Sequence, residues 1–476
     1  MRATTESGRT AVTRGHERAT GEVSLLIDEK ILRRRPPVWG HRQWIRAYAA
    51  LTDRTWTAVV RDLAGDHAPA VVSDRALVAH LLRRTSFGPF PSQVDALAPA
   101  GIAAAIETVL SAPPLPIGSA PDLSPLPNRA PIGWWLARMG DPNAGLAEKL
   151  TWFWHGHLTS SQAKVRDWGA MWAQHQLLAT DALGDFRALV QSVTTDPAML
   201  RYLDGSGSEA AAPNENYGRE LMELFTLGRG NYTQDDVHAA AMALSGWRLD
   251  PQAPGGSRFV PSRGLAAPVT LLGRQVQTAA DVVNTVCDQP ACSPFIAGEL
   301  FVYLMGTDPT LAQRQQYGDL FQAVGLQVRP LVEGILRDPA FLLARQTRPR
   351  YPVEWLTAAM GALGFQQPML AAQLCVRMGQ VPFYPPNVAG WPVGLRWLAP
   401  SFALVRAALG ARANGIAEVA AASDPVVATL QRCSIEEVTP ATQHALETSA
   451  TAVSDPHERA AVLLGLAVAS PEFALA

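Results

Sequence analysis

Two short stretches hold most of the residue types that could do chemistry. The first is His155-Gly156-His157, with Glu148 seven residues before His155 and so on its helical face. Imidazoles joined by a carboxylate make a plausible cage for a divalent metal. On an unbroken helix the two rings would sit about 200° apart and could not share an ion. Gly156, followed by Thr159-Ser160-Ser161, predicts a helix end there, and an extended His-x-His turns both rings to one side. The competing reading is structural: both histidines hydrogen-bond within a tryptophan-rich core, the commoner fate of buried imidazole.

The second stretch runs from Pro213 to Gly228 and carries Glu215, Glu220, Glu223, Asn214, Asn216 and Arg219. Residues four apart on a helix nearly eclipse, so Glu215, Arg219 and Glu223 should form a ladder, with Glu220 on the neighbouring stripe. Asn214 or Asn216 can cap the helix, and Gly228 suits its left-handed close. Glu220, Glu223 and Arg219 are the catalytic candidates: one glutamate to ligate a metal, another to act as general base on bound water. Arg219 would hold the carboxylates or a substrate anion. Asn214, Glu215, Asn216 and Asp204 are the pocket candidates. The plainer account is a salt-bridge ladder that orients a core helix. Asp235 and His238 read as surface, and Gly205-Ser-Gly-Ser208 reads as a flexible loop, without the lysine of a phosphate loop.

These stretches must be positioned by a large helical scaffold. At 476 residues, 48% hydrophobic and 17% charged, the chain is globular and can bury a sizeable core. A net charge of −2 gives no electrostatic reason to expect nucleic acid or an anionic membrane. Cys287, Cys292, Cys375 and Cys433 lack the paired spacing of a zinc site and read as reduced core thiols. No apolar run approaches the roughly 20 residues of a membrane span. The first residues are polar without an apolar export segment, and Arg33-Arg34-Arg35 precedes Pro36-Pro37. The expected location is cytoplasmic.

The fold class is all-α: a large multi-helix domain with long Pro/Gly-rich loops and at most a small β-hairpin. Residues 1–22 read as a disordered tail, 23–72 as an N-terminal helical extension and 73–476 as the main domain. Ser73-Asp74 opens its first helix, and Ala112 to Pro131 reads as a proline-rich loop. A helix is expected over 163–178, and helical periodicity returns over 280–304. Asp-Pro pairs at 196, 308, 338, 424 and 455 signal helix starts, and Thr233 with Asp236 resembles a capping box. The β-prone pieces 258–260 and 269–272 predict a hairpin. Tyr384-Pro-Pro-Asn-Val-Ala-Gly-Trp-Pro392 is a proline-stiffened loop, and Trp391 with Trp397 is an exposed aromatic pair that could serve as a binding surface.

Seven blocks resemble the signatures of one family. They are His80-Leu-Leu-Arg-Arg-Thr-Ser-Phe-Gly88, Phe153-Trp-His-Gly-His-Leu158, Asp196-Pro-Ala-Met-Leu-Arg-Tyr-Leu-Asp204 and Pro213-Asn-Glu-Asn-Tyr-Gly-Arg-Glu-Leu221. Ala243-Leu-Ser-Gly-Trp247, Pro385-Pro-Asn-Val-Ala-Gly-Trp-Pro392 and Ser470-Pro-Glu-Phe473 complete the set. From about residue 75 onward the chain resembles the bacterial family catalogued as domain of unknown function 1800 (DUF1800). No activity is established for that family as a whole. Its members are often encoded beside a protein similar to the sulfatase and alkaline phosphatase superfamily, which implies a partner. Many relatives carry export signals. Relatives also commonly show His-Asp before a Lys and Leu-Gly in the loop after the Gly-Trp block. Here that loop, 261–273, keeps Leu272-Gly273 without His-Asp, the mark of a degenerate or specialised member. Two functions follow as expectations: a helical accessory or assembly protein acting with the co-encoded partner, or a metal-dependent hydrolase using the His/Glu site.

Overall fold

The structure, a computed structural model, describes residues 72–476 except 126, 127, 254, 366 and 399. The expected tail (1–22) and nearly all of the expected extension (23–72) lie outside the described residues.

The Ser73 hydroxyl accepts from Ala76 N and opens α1 (Asp74–Thr85). There follow α2 (Gly101–Ser111), α3 (Ala130–Met139), α4 (Leu146–His157), α5 (Trp168–Asp181), α6 (Phe186–Thr194) and α7 (Pro197–Tyr202). The central stretch forms α8 (Glu215–Glu220) and runs on as a π-helical turn, Leu221–Thr226. Next is α9 (Gln234–Ala243), opened by a full capping box between Thr233 and Asp236.

The β-prone pieces do not pair with each other. β1 (Trp247–Leu249) pairs antiparallel with β2 (Ser257–Phe259), and β3 (Val269–Leu271) with β4 (Arg274–Val276). Leu272-Gly273 forms the tight turn of the second pair, both residues left-handed, with Leu272 N donating to Asp236 Oδ1 at 2.7 Å. The longer helices that remain are α10 (Ala279–Cys287), α11 (Cys292–Met305), α12 (Leu311–Ala323), α13 (Val328–Leu336), α14 (Pro352–Ala362) and α15 (Pro368–Met378), with a short turn of helix at Pro339–Leu343. They are followed by α16 (Pro400–Gly410), α17 (Pro425–Arg432), α18 (Pro440–Ala452) and α19 (Pro456–Ala469).

Several local expectations are corrected by backbone chemistry. The helix foreseen over 163–178 is two pieces, because Arg166 is left-handed (φ 54°) and Asp167 caps a fresh start at Ala170 N. The run over 280–304 is interrupted between Cys287 and Cys292, where Pro290 falls. Asp196, Asp338, Asp424 and Asp455 cap helices as their Asp-Pro pairs predict. Asp308 does not, since Thr310 and Gln313 make a reciprocal box two residues later and win the start of α12. Gly205–Gly207 is an ordered 3₁₀ turn rather than a flexible loop: Ser208 behind it is buried against Ser245 Oγ at 2.8 Å.

One contiguous apolar core extends from Val78 to Ala474, and a smaller satellite lies among α16, α17, α18 and α19. The most extensive helix packings are α11 on α12, α16 on α19, α8 on α9 and α3 on α15. By length and composition one stretch, Gln93–Ser111, passes for a membrane span. Gly101 at φ 79° breaks it into separate turns. All four cysteines are free thiols and buried. Trp391 and Trp397 are buried too, 9% and 3% exposed, which overturns their reading as an exposed pair.

Candidate functional site

α4 ends at His157, one residue beyond the predicted stop at Gly156, so both histidines stay on the helix and the two imidazoles address different surroundings. His155 is packed among Trp135, Trp152, Trp391 and Phe383, and its Nε2 accepts from Phe383 N at 3.1 Å. Burial alone pulls its pKa down to about 3, which keeps the ring neutral. His157 lies over Phe153, ring centroids 5.6 Å apart and nearly parallel, and donates from Nε2 to the Phe225 carbonyl at 3.1 Å. Burial lowers its pKa as well, opposed by the carboxylate of Glu299. Glu148 is buried, accepting from Trp135 Nε1 at 2.7 Å and pairing with Arg138. Among the described residues no group of three His, Cys, Asp or Glu side chains is placed to hold a metal ion.

The ladder forms over one rung. Arg219 Nη2 reaches Glu215 at 3.4 Å and Gln234 Oε1 at 2.9 Å, while Glu215 also accepts from Gln234 at 2.7 Å and meets His238 at 3.2 Å. The second rung fails because the π turn inserts an extra residue per turn after Glu220. Glu223 therefore leaves the stripe and takes Arg229 Nε at 2.6 Å and Tyr232 OH at 2.9 Å. Those bonds hold its pKa below the usual carboxylate range. Glu220 is half-buried and raised by desolvation and by Glu223. Asn214 caps α8 through Asn216 N at 3.0 Å, and Asp204 pairs with Lys164 at 2.7 Å on the surface. These are scaffold and surface roles.

One hollow of about 390 Å³ gathers what is left. α4 gives it Trp152, Phe153 and His157; the π turn and its exit give Glu223, Leu224 and Arg229. α11 presents Phe295, Glu299 and Tyr303, spaced four apart and so on one face. The loop before α16 closes the mouth with Val388, Trp391 and Val393, and Tyr351 completes a wall. Three stretches far apart in sequence thus converge: residues 153–158, 213–228 and 385–392.

The loop is seated by Trp391, stacked on Trp152 with centroids 4.5 Å apart and planes 18° apart. It is also held by Gly390, whose backbone lies against Gly156 so closely that a Cβ there would meet Gly156 O at 2.3 Å. Behind the tyrosines sits a buried ion triad. Arg348 grips Glu354 with both ends of its fork, at 2.8 and 3.0 Å, and Lys149 Nζ meets Glu354 at 2.5 Å. These cations hold Glu354 well below the carboxylate range against the cost of burial.

Of the candidate residues singled out from sequence, His157, Glu223 and Trp391 reach the hollow, while His155, Glu148, Asp204, Asn214, Glu215, Asn216, Arg219 and Glu220 do not line it. Glu299 was missed. Its signal was available: a lone acid inside the apolar helix Cys292–Met305. A second hollow, about 420 Å³, lies between α1, α2 and the strap 112–116, and no charged side chain lines it. The chemistry therefore points to the first.

Comparison with known proteins finds no match among curated proteins and none among solved structures. A family model matches residues 80–475, described as "Protein of unknown function (DUF1800)". With nearly all of the main domain inside that match, and with the hollow built from its segments, the chain belongs to the DUF1800 family.

Proposed function

We propose that this chain is a helical accessory protein that docks a partner protein at the hollow. The partner is the sulfatase/alkaline-phosphatase-like protein implied by the family's gene neighbourhood. One observation carries the reading. Val393 on the rim is 64% exposed and Leu395, two residues on, is 60% exposed, beside an aromatic recess. Large apolar side chains exposed together at the edge of a pocket are the mark of a protein contact. The hydrolase alternative, with a divalent metal on His155, His157 and a glutamate, has less support: His155 is committed to Phe383 N and His157 to the Phe225 carbonyl.

The test is co-expression of the chain with the co-encoded sulfatase/alkaline-phosphatase-like protein, the mass of the product being read by light scattering. A defined complex is expected, weakened at least tenfold by the double change Val393→Asp, Leu395→Asp. Two unassociated proteins would end the accessory reading. Metal measured on protein purified without chelator, and lost in a folded His157→Ala variant, would favour the hydrolase instead.

A further inference from the structure

Charge inside the hollow says what kind of group it should receive. Four titratable side chains other than tyrosine line it: His157, Glu223, Arg229 and Glu299. Burial keeps His157 uncharged near neutral pH. Glu223 and Arg229 neutralise each other at 2.6 Å. Glu299 is half-buried and, among the described residues, has neither an ion-pair nor a hydrogen-bond partner. The charge it acts on across the hollow is the imidazole of His157, which burial keeps neutral, so the carboxylate is free to take up a cation that arrives from outside. The groups packed behind the wall do not supply that cation, since Lys149 and Arg348 are both spent on Glu354.

The walls agree with the charge. Phe295 and Tyr303 flank Glu299 one helical turn to either side, and Phe153 lines the same hollow. A flat, weakly hydrated cation suits ring faces and a carboxylate together, which describes guanidinium better than ammonium. We infer that the hollow takes an arginine side chain carried on an apolar segment of the partner, with Glu299 as its counter-ion. The exposed Val393 and Leu395 would meet the arginine's apolar neighbours. The source of the arginine rests on the docking reading; the preference for a guanidinium does not.

The experiment uses the full chain and two peptides, acetyl-Leu-Arg-Leu-amide and the same peptide with citrulline, the uncharged isostere of arginine. Titration calorimetry should show the arginine peptide binding at least tenfold more tightly, and E299Q should erase the difference. Because Glu299 holds no bond of its own, E299Q should melt at the wild-type temperature. Equal binding of the two peptides, no binding of the arginine peptide, or affinity indifferent to E299Q would each overturn the inference. The two readings fail separately. A partner complex that forms but ignores E299Q removes the arginine and leaves the accessory role. Arginine-selective binding without any partner complex does the reverse.

Discussion

At the residue scale, the histidines show how one motif divides into two jobs. His155 serves the core as a neutral acceptor for Phe383 N, while His157 serves the wall of the hollow. His155 also has a pH signature. Its folded pKa of about 3 lies below the unfolded value, so between roughly pH 6.5 and 3 the unfolded chain holds a proton that the folded chain refuses. Stability from this ring is complete above that window and is lost as pH falls through it, by up to about 1.4 kcal/mol per unit. Asp196 works the other way. Burial raises its pKa to about 7, so stability is lost as pH rises from about 4 towards 7. The comparison of wild type with His155→Gln isolates the histidine, since glutamine can still accept from Phe383 N. Urea midpoints should show a flatter acid limb in the variant. An unchanged limb would mean that His155 titrates normally.

At the element scale, the loop 384–392 is what turns a set of helices into a site. Gly390 is left-handed (φ 77°) and pressed against the Gly156 carbonyl, so Gly390→Ala should cost more than about 2 kcal/mol and unseat Trp391. Gly156→Ala is the contrast. A methyl there meets Trp391 at an ordinary 3.6 Å, inside a helix, so it should be neutral or stabilising by about 0.5–1 kcal/mol. Chemical denaturation of both variants checks the pair, and equal effects would refute this packing account.

Much at this scale was legible in the sequence. Ser73, Asp196, Thr233 and Asp338 cap as their neighbours predict, because capping is a local bond between residues two or three apart. The π turn was not legible, since Leu221–Thr226 offers the apolar spacing of an ordinary helix and only tertiary packing selects the wider turn. Hence Glu215 and Arg219 paired as expected, while Glu223 moved to Tyr232 and the hollow. Glu299 escaped for a related reason: a single acid on an apolar helix states that something is unusual without stating what faces it.

At the scale of the whole molecule, the all-helical class followed from composition and periodicity, but the way distant segments are tied together did not. Lys149, Arg348 and Glu354 join α4, the segment before α14 and α14 itself, and Lys149 also donates to Ser86 O at 2.9 Å. Glu354→Gln would leave two cations buried without a counter-charge. Such a loss costs about 3–5 kcal/mol, so the variant should unfold at much lower denaturant. Glu354→Gln with Lys149→Met should recover part of the loss. A midpoint within error of wild type would show the triad to be dispensable.

The four cysteines turn this same scaffold into a clock. Each thiol is buried, and burial raises the pKa of Cys375 and of Cys433, so neither offers an accessible thiolate while the fold stays closed. A thiol reagent would therefore wait for the chain to open. Cys287 and Cys292 flank the break between α10 and α11, Cys375 sits within α15, and Cys433 follows α17. Four labelling rates, separated by peptide mapping, would time the breathing of three regions in one unmodified molecule.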